Sequence, residues 1–387
     1  MKLIYQNFDG LDITFQGALP ENILEQLVKA REQAQKEKRE VLMHIEPESI
    51  PVMVAETCAK GGYKYRFDTG IDGEVWFIAH SIKRDGWNIR VSVKSLALAL
   101  HGYEGVKERI LNRLAALEAK GLARRDDDGA LTEMPLERIS RFDYCFDFVM
   151  GKEFMPRPEC FVAHARCGKH RHASQETYDA STGDKVNTIR IGEMPGRQAT
   201  IYDKVLEIKS SAKQYWWDIW GLNKDSFKET IWRVEVRAGK KELDQWSLKR
   251  FKDFERKAGD VIADTLKVIR YTEPLKDDSN RSRWPDAAIW RECLKASFKA
   301  LAPYSSGACR EKIVTDYRDA IISRYKDCLI GTAIGCAAAQ GRDVSELPAV
   351  LDEVHDAIAA LAREDISILI KKHARAEERF RFLDSVI

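Results

Sequence analysis

Residues 141–148 read Arg-Phe-Asp-Tyr-Cys-Phe-Asp-Phe, a strict alternation that an extended strand sorts cleanly into two faces. Arg141, Asp143, Cys145 and Asp147 fall on one face; Phe142, Tyr144, Phe146 and Phe148 fall on the other. Such a strand needs a sheet around it and a core beneath its aromatic side. Its opposite side then brings two carboxylates toward the interior, where they require a cation or a metal ion beside them. An ion pair with an arginine and a metal site both satisfy that requirement. Four residues along a strand separate Asp143 from Asp147 by roughly 13 Å, too far for both to grip one ion. One of the two therefore belongs to an outer layer or to another network.

Residues 231–237, Ile-Trp-Arg-Val-Glu-Val-Arg, repeat the theme, with Arg233, Glu235 and Arg237 opposite Trp232, Val234 and Val236. Glu235 between two arginines suits a salt-bridge ladder, or a metal ligand beside cations that hold a phosphodiester. Residues 200–207, Thr-Ile-Tyr-Asp-Lys-Val-Leu-Glu, put Thr200, Tyr202 and Lys204 on one face of a regular strand and Glu207 on the reverse, in a structural position. A phenol attacks phosphorus only when its oxyanion is stabilised or its proton is taken, and Lys204 is placed for the first role. On this strand alone, Tyr202 reads equally as a packing residue.

Patterning around these segments predicts an α+β fold: a largely antiparallel sheet that carries the active site, followed by an all-helical C-terminal region. Upstream, a hairpin over residues 3–16 is expected to turn at Asp9-Gly10, followed by a helix over 21–38, strands over 63–67, 74–80 and 87–93, and a helix over 105–120. Strands are expected over 140–150, 187–191, 199–208 and 230–238, and helices over 243–267, 285–301, 310–340 and 347–373. At 387 residues and 44% apolar content the chain exceeds one ordinary core. The expected division is 1–130, an N-terminal part of the sheet domain, 131–273, the catalytic sheet region, and 274–387, a helical domain.

The 63 basic and 61 acidic side chains exclude a histone-like polycation, so any nucleic-acid contact has to come from local basic faces. The eight cysteines are scattered with no C-x-x-C pair, as in reduced cytosolic proteins. Residues 1–17 alternate like a strand and lack the apolar block of a signal peptide, and the longest small-apolar run, 329–339, is about half a bilayer span. A cytoplasmic protein with no membrane role is expected.

Taken in order, R-x-D-x-x-x-D-F at 141–148, I-Y-D-K-x-x-E at 201–207 and W-R-V-E-x-R at 232–237 resemble the replication initiators of rolling-circle plasmids and phages. The resemblance is clear over residues 141–237, about a quarter of the chain. It implies that Tyr202 is the nucleophile, with Lys204 and Arg233 assisting, and that Asp143, Asp147 and Glu235 hold Mg²⁺ or Mn²⁺. It further implies nicking of one origin strand with a 5′-phosphotyrosyl link and a free 3′-hydroxyl primer. The implied partners are duplex origin DNA, a single-stranded nick site, a second copy of the chain in a homodimer, and a host helicase. A protein of this kind without cleavage activity, acting as a sequence-specific replication or copy-control factor, is the alternative.

One departure stands out. Members often carry T-x-Y-x-G just before the nucleophile strand, whereas this chain reads Thr188-Ile-Arg-Ile-Gly192, with Arg190 at the tyrosine position. Tyr178 is the second candidate nucleophile. His164, His170 and His172 with Cys160 and Cys167 form an alternative metal site, although the setting of residues 168–172 reads better as a basic DNA-facing segment. Arg190, Arg237, Lys240, Lys241, Lys249 and Arg250 are the candidate DNA contacts; the last four lie in a stretch that interleaves cations with Trp246, Phe251 and Phe254.

Overall fold

The computed structural model describes residues 1–58, 62–70, 72–80, 86–121, 124–125, 131–132, 135–163, 178–182, 185–211, 213–304 and 310–380. Its centre is one antiparallel sheet. In chain order the strands are β1 (Lys2–Ala18), β2 (Val41–Ile45), β3 (Ile50–Val54), β4 (Tyr63–Asp68), β5 (Glu74–Ala79), β6 (Ile89–Val93), β7 (Leu136–Met150), β8 (Tyr178–Thr182), β9 (Lys185–Gly192), β10 (Arg197–Asp203) and β11 (Thr230–Gly239). They lie in the spatial order β8-β9-β10-β11-β7-β1-β6-β5-β4-β3-β2, and the short pair Lys120–Gly121 adds to β1. The fold is α+β, with a helical C-terminal region, as the patterning predicted.

The strand over 141–148 sits at the middle of this order because it is buried on both faces. Its aromatic face meets Phe8 of β1 and two helices, α2 (Ser95–Ala116) and α6 (Phe251–Val268). Phe8 and Tyr144 ring centroids are 5.2 Å apart, Phe142 and Phe254 5.1 Å, and Tyr103 and Phe254 4.4 Å. In α6 the buried residues Phe251, Phe254, Ala258, Val261, Ile262, Thr265 and Leu266 recur at helical spacing, so one apolar stripe covers the sheet. Asp253 begins this helix by accepting from the backbone N–H groups of Lys249 and Arg250.

Several expectations change. The predicted hairpin over 3–16 is instead a single strand, β1, which pairs with β7 along its length and with β6 through Leu11–Phe15. Asp9-Gly10 is not a turn but an irregularity in the β1–β7 register: Phe8 faces Tyr144 and Gly10 faces Asp143, leaving Asp9 as an extra residue. A Cβ at Gly10 would come within 2.9 Å of Asp143 Oδ2, so a larger residue there would push the Asp143 carboxylate aside. The predicted strand over 199–208 stops at Asp203, and Lys204 opens α3 (Lys204–Ser211). Between it and β11 lies α4 (Trp216–Trp220). The edge strand β2 and its neighbour β3 were not anticipated; each is short, and β3 begins Ile50-Pro51.

The expected helix over 243–267 resolves into α5 (Lys240–Gln245) and α6, and the one over 285–301 is α7 (Ala288–Ala300). The sheet and the helices up to residue 304 form one compact unit, whereas α8 (Arg310–Ala339) and α9 (Leu347–Phe380) belong to a second. Residues 274–304 thus group with the sheet. In the second unit α8 and α9 meet through Ala333, Ala337, Val350 and Leu347. No helix among the described residues is long and apolar enough to cross a membrane.

Candidate active site

Antiparallel pairing stacks the polar faces of β10, β11 and β7 into cross-strand rows. Tyr202 lies opposite Arg233, which lies opposite Asp147; Thr200 lies opposite Glu235, which lies opposite Cys145; Gln198 lies opposite Arg237, which lies opposite Asp143. The three separated sequence segments are therefore neighbours because their strands are adjacent and their alternation is in phase.

These rows line a cleft of about 630 Å³ together with Asp9, Leu11 and Asp12 of the adjoining β1, residues 92–95, and Glu207, Lys213 and Tyr215 beyond β10. Its charged lining is balanced between Asp9, Asp12, Asp143, Glu207 and Glu235 on one hand and Lys94, Arg141, Lys204, Lys213 and Arg237 on the other. A phosphate entering such a cleft has to draw cations away from carboxylates rather than meet free ones.

Tyr202 reaches into this cleft and donates its hydroxyl to Glu235 Oε2 at 3.0 Å. Burial and the neighbouring Glu235 carboxylate push its phenol well above the ordinary value, with Arg233 opposing. The resting tyrosine is protonated. Burial would raise Glu235, but Arg237, Arg233 and the Tyr202 hydrogen bond outweigh it and hold the carboxyl below its usual range. Arg237 Nε donates to Glu235 Oε1 at 2.5 Å and sits 3.9 Å from Asp143. Arg141 binds both oxygens of Asp143, with Nε at 2.8 Å from Oδ1. Burial still leaves Asp143 raised to about 6, against the pull of Arg141 and Arg237.

Arg233 and Asp147 are fully buried and form a two-pronged pair, Nε–Oδ1 at 2.6 Å and Nη2–Oδ2 at 2.8 Å. Trp220 Nε1 donates to Asp147 Oδ2 at 2.9 Å, and Arg233 Nη1 reaches Asp9 Oδ1 at 2.8 Å. The guanidinium lies 4.2 Å from the ring centre of Trp216. Arg233 is thus held in the floor and does not face the cleft, so it has no direct path to a substrate. Asp9 is a site residue that the sequence reading missed. The Asp-Gly pair carries a turn signal, and it takes the long β1 pairing to turn that signal into a bulge that aims Asp9 at Arg233.

Lys204 sits at the start of α3, buried, with Nζ 2.6 Å from Glu207 Oε2 and 4.8 Å from the Trp216 ring centre. Burial and Arg233 depress it below the usual lysine value, with Asp9 and Glu207 opposing. The helix turns Glu207 back into the cleft instead of onto a reverse strand face. Against the cost of burial, Lys204 and Lys213 hold the Glu207 carboxyl at about 2.

Two tests bear on a bound Mg²⁺ or Mn²⁺, and neither is met. Both oxygens of Asp147, Asp143 and Glu235 already accept from Arg233 and Trp220, from Arg141, and from Arg237 and Tyr202 respectively. Among the described residues no group of three or more His, Cys, Asp or Glu side chains is disposed to hold an ion. The carboxylate set expected as the metal site is, in this arrangement, a ladder of arginine pairs.

The candidate DNA contacts divide. Arg190 lies opposite Thr200 on β9, in the row of Glu235, and Tyr178 lies opposite Arg190 in backbone register on the edge strand. Arg237 is 28% exposed at the cleft. Lys240, Lys241 and Lys249 are exposed, whereas the Arg250 guanidinium donates to the Glu137 carbonyl. His164, His170, His172 and Cys167 lie outside the described residues, and Cys160 is buried.

No family model matches the chain. Over 201 residues it is 26% identical to an uncharacterized protein, ORF430, of Pseudomonas phage Pf1; the match covers 48% of this chain and 44% of the phage protein. It thus spans less than half the length of that relative. Among solved structures the chain is similar to a rolling circle replication initiator protein from Geobacillus stearothermophilus, with 15% identity and a TM-score of 0.38, covering 76% of this chain and 96% of that one. A likeness at that score carries no argument about function.

Proposed function

We propose that this chain is a replication initiator that nicks one DNA strand by transesterification at Tyr202. The observation that carries the reading is the Tyr202 hydroxyl in a cleft, hydrogen-bonded at 3.0 Å to a carboxylate able to take its proton and flanked by Arg237 and Arg141. The order of the three motifs along the chain supports it independently.

On this reading a backbone phosphate engages Arg237 and Arg141, and competition for Arg237 makes Glu235 a stronger base. The phenol proton passes to Glu235 as the tyrosine oxygen bonds to phosphorus. The bond from phosphorus to the 3′ oxygen breaks, the 3′ oxygen takes a proton from solvent, and the strand end remains on Tyr202 as a 5′-phosphotyrosyl ester. Positioning and charge neutralisation by preorganised arginines supply the stabilisation of the phosphoryl transition state. Lys204 acts through the Tyr202 ring, 5.7 Å from its centre, and through Glu207; Arg233 acts by holding Asp147 and Asp9. Lys240, Lys241 and Lys249 provide an exposed basic approach for duplex DNA near the cleft strand β11. The remaining partners are a single-stranded nick site, a second copy of the chain and a host helicase, in the cytoplasm.

The arginine-paired carboxylates also favour a second reading, a sequence-specific DNA-binding replication or copy-control protein with the same sheet and no cleavage. Incubation with supercoiled DNA bearing the cognate origin separates the two, run in EDTA, Mg²⁺ and Mn²⁺. The initiator reading expects relaxation to open circles that is lost in Tyr202→Phe. Retarded but intact supercoils in every condition support the regulator, and nicking that persists in Tyr202→Phe supports a water-using nuclease.

A further inference from the structure

Transesterification at Tyr202 involves two proton transfers, and Glu235 accounts for one of them. The other is the proton that the departing 3′ oxygen gains. Solvent can supply it, but an acid held beside the phosphate delivers it within the transition state. Asp9 lines the same cleft as Tyr202 and Glu235. The extra position in the β1–β7 register carries its side chain to Arg233, whose Nη1 donates to Asp9 Oδ1 at 2.8 Å. Among the described residues no side chain donates to the other oxygen, Oδ2.

Two carboxyl groups share the one guanidinium. Asp147 takes Nε and Nη2 of Arg233 and the Trp220 N–H besides, whereas Asp9 has the single contact. One buried positive charge neutralises one carboxylate, and the less well bonded partner keeps its proton. Burial accordingly raises the Asp9 carboxyl above its ordinary range; Glu235 and Asp147 add to the rise, and Arg233 and Lys204 oppose it. Glu235 is shifted in the opposite direction, so the cleft holds an ionised carboxylate on the nucleophile and a protonated carboxyl apart from it. Strand order sets the two on either side of a bound phosphate. From Tyr202 on β10 the sheet runs through β11, which carries Glu235 and Arg237, and β7, which carries Arg141, to Asp9 on β1. A phosphate bridging Arg237 and Arg141 is then attacked from one flank and loses its 3′ oxygen toward the other, as in-line displacement demands. We propose, on the reading of Tyr202 as nucleophile, that Asp9 is the general acid of strand cleavage: its proton passes from Oδ2 to the 3′ oxygen as the bond from phosphorus breaks, leaving a carboxylate against Arg233. In the joining step that carboxylate takes the proton of the attacking 3′-hydroxyl, and Glu235 returns its proton to Tyr202.

The test uses the full chain and oligonucleotides that span the nick site of the cognate origin, with either the natural 3′ oxygen or a bridging 3′ sulfur at the scissile phosphate. A thiolate departs without being protonated, so only the oxygen substrate needs the acid. Asp9→Asn, which can still accept from Arg233 Nη1, is expected to slow adduct formation by about 100-fold or more on oxygen and by less than about threefold on sulfur. Circular dichroism checks its fold, and wild type alone decides if the variant does not fold. The groups facing Asp9 are Arg233 and Glu235 from β11, Asp147 and Cys145 from β7, Lys204 from α3, Tyr202 from β10 and Tyr5 on its own strand. These are common to both substrates, so the wild-type rate on oxygen falls as rising pH deprotonates Asp9 while the rate on sulfur does not. Equal slowing of Asp9→Asn on both substrates, or wild-type profiles that superimpose at high pH, overturns the assignment of Asp9 and leaves Tyr202 in place. No wild-type adduct on either substrate overturns the Tyr202 reading and the assignment together.

Discussion

At Arg233 a guanidinium with no solvent exposure is joined to Asp147 and Asp9 and stacked on Trp216. Removing one member of a buried pair leaves the other charged and unpaired, so Arg233→Ala is expected to cost about 3–5 kcal/mol, read as a shift in urea midpoint at unchanged slope. A loss below about 1 kcal/mol would mean that the pair is open to water. Glu207 makes a pH-dependent contribution of known sign. Its carboxyl lies at about 2 in the fold against an ordinary 4.5, so the folded state prefers it ionised. That stabilisation is complete above pH 4.5 and is lost as pH falls toward 2, and Glu207→Gln should flatten the stability curve across that window by about 1–3 kcal/mol. Parallel curves for variant and wild type would contradict it. Which residues share a face was legible from alternation alone for Asp143, Glu235 and Tyr202. Which cation each carboxylate chooses was not, because pairing depends on cross-strand register that no single segment contains.

Among the elements, β1 shows how a local signal loses to tertiary pairing. Asp-Gly favours a turn, but thirteen of the seventeen residues of β1 find partners on β7 and β6, and the pair is absorbed as a bulge. Gly10→Ala should therefore destabilise by about 1–3 kcal/mol, since its Cβ would press on Asp143, and should disturb the Arg141–Asp143 pair beside the cleft. Calorimetry of the variant checks this, and an unchanged Tm would argue against the bulge. The segment after Asp203 misled in the other direction: Val205, Leu206 and Ile208 suit a strand, yet Asp203 Oδ1 accepts from the Leu206 N–H and turns the chain into a helix. That turn moves Glu207 from a reverse face into the cleft. The short strands β2 and β3 were not legible because nearly continuous apolar runs of five residues carry too few periods to register, and Pro51 argues against a strand.

For the whole molecule, the strand-then-helix order of the chain foretold an antiparallel sheet with a helical C-terminal region, and the strongly two-faced strand over 141–148 foretold its buried centre. The boundary expected at residue 274 falls later because α7 buries Ile289, Trp290 and Cys293 within the sheet-bearing unit. If the chain acts on DNA as proposed, its near-neutral charge and charge-balanced cleft favour specific contact over nonspecific coating, so binding should depend on sequence more than on bulk charge. The central claim is that Tyr202 becomes covalently attached to a cut strand. Denaturing the protein after reaction with origin DNA, digesting both partners and locating the residual nucleotide by mass spectrometry tests it directly. The account predicts a phosphonucleotide on the peptide containing Tyr202 and none in Tyr202→Phe; attachment at Tyr178, or cut DNA with no attached peptide, would contradict it.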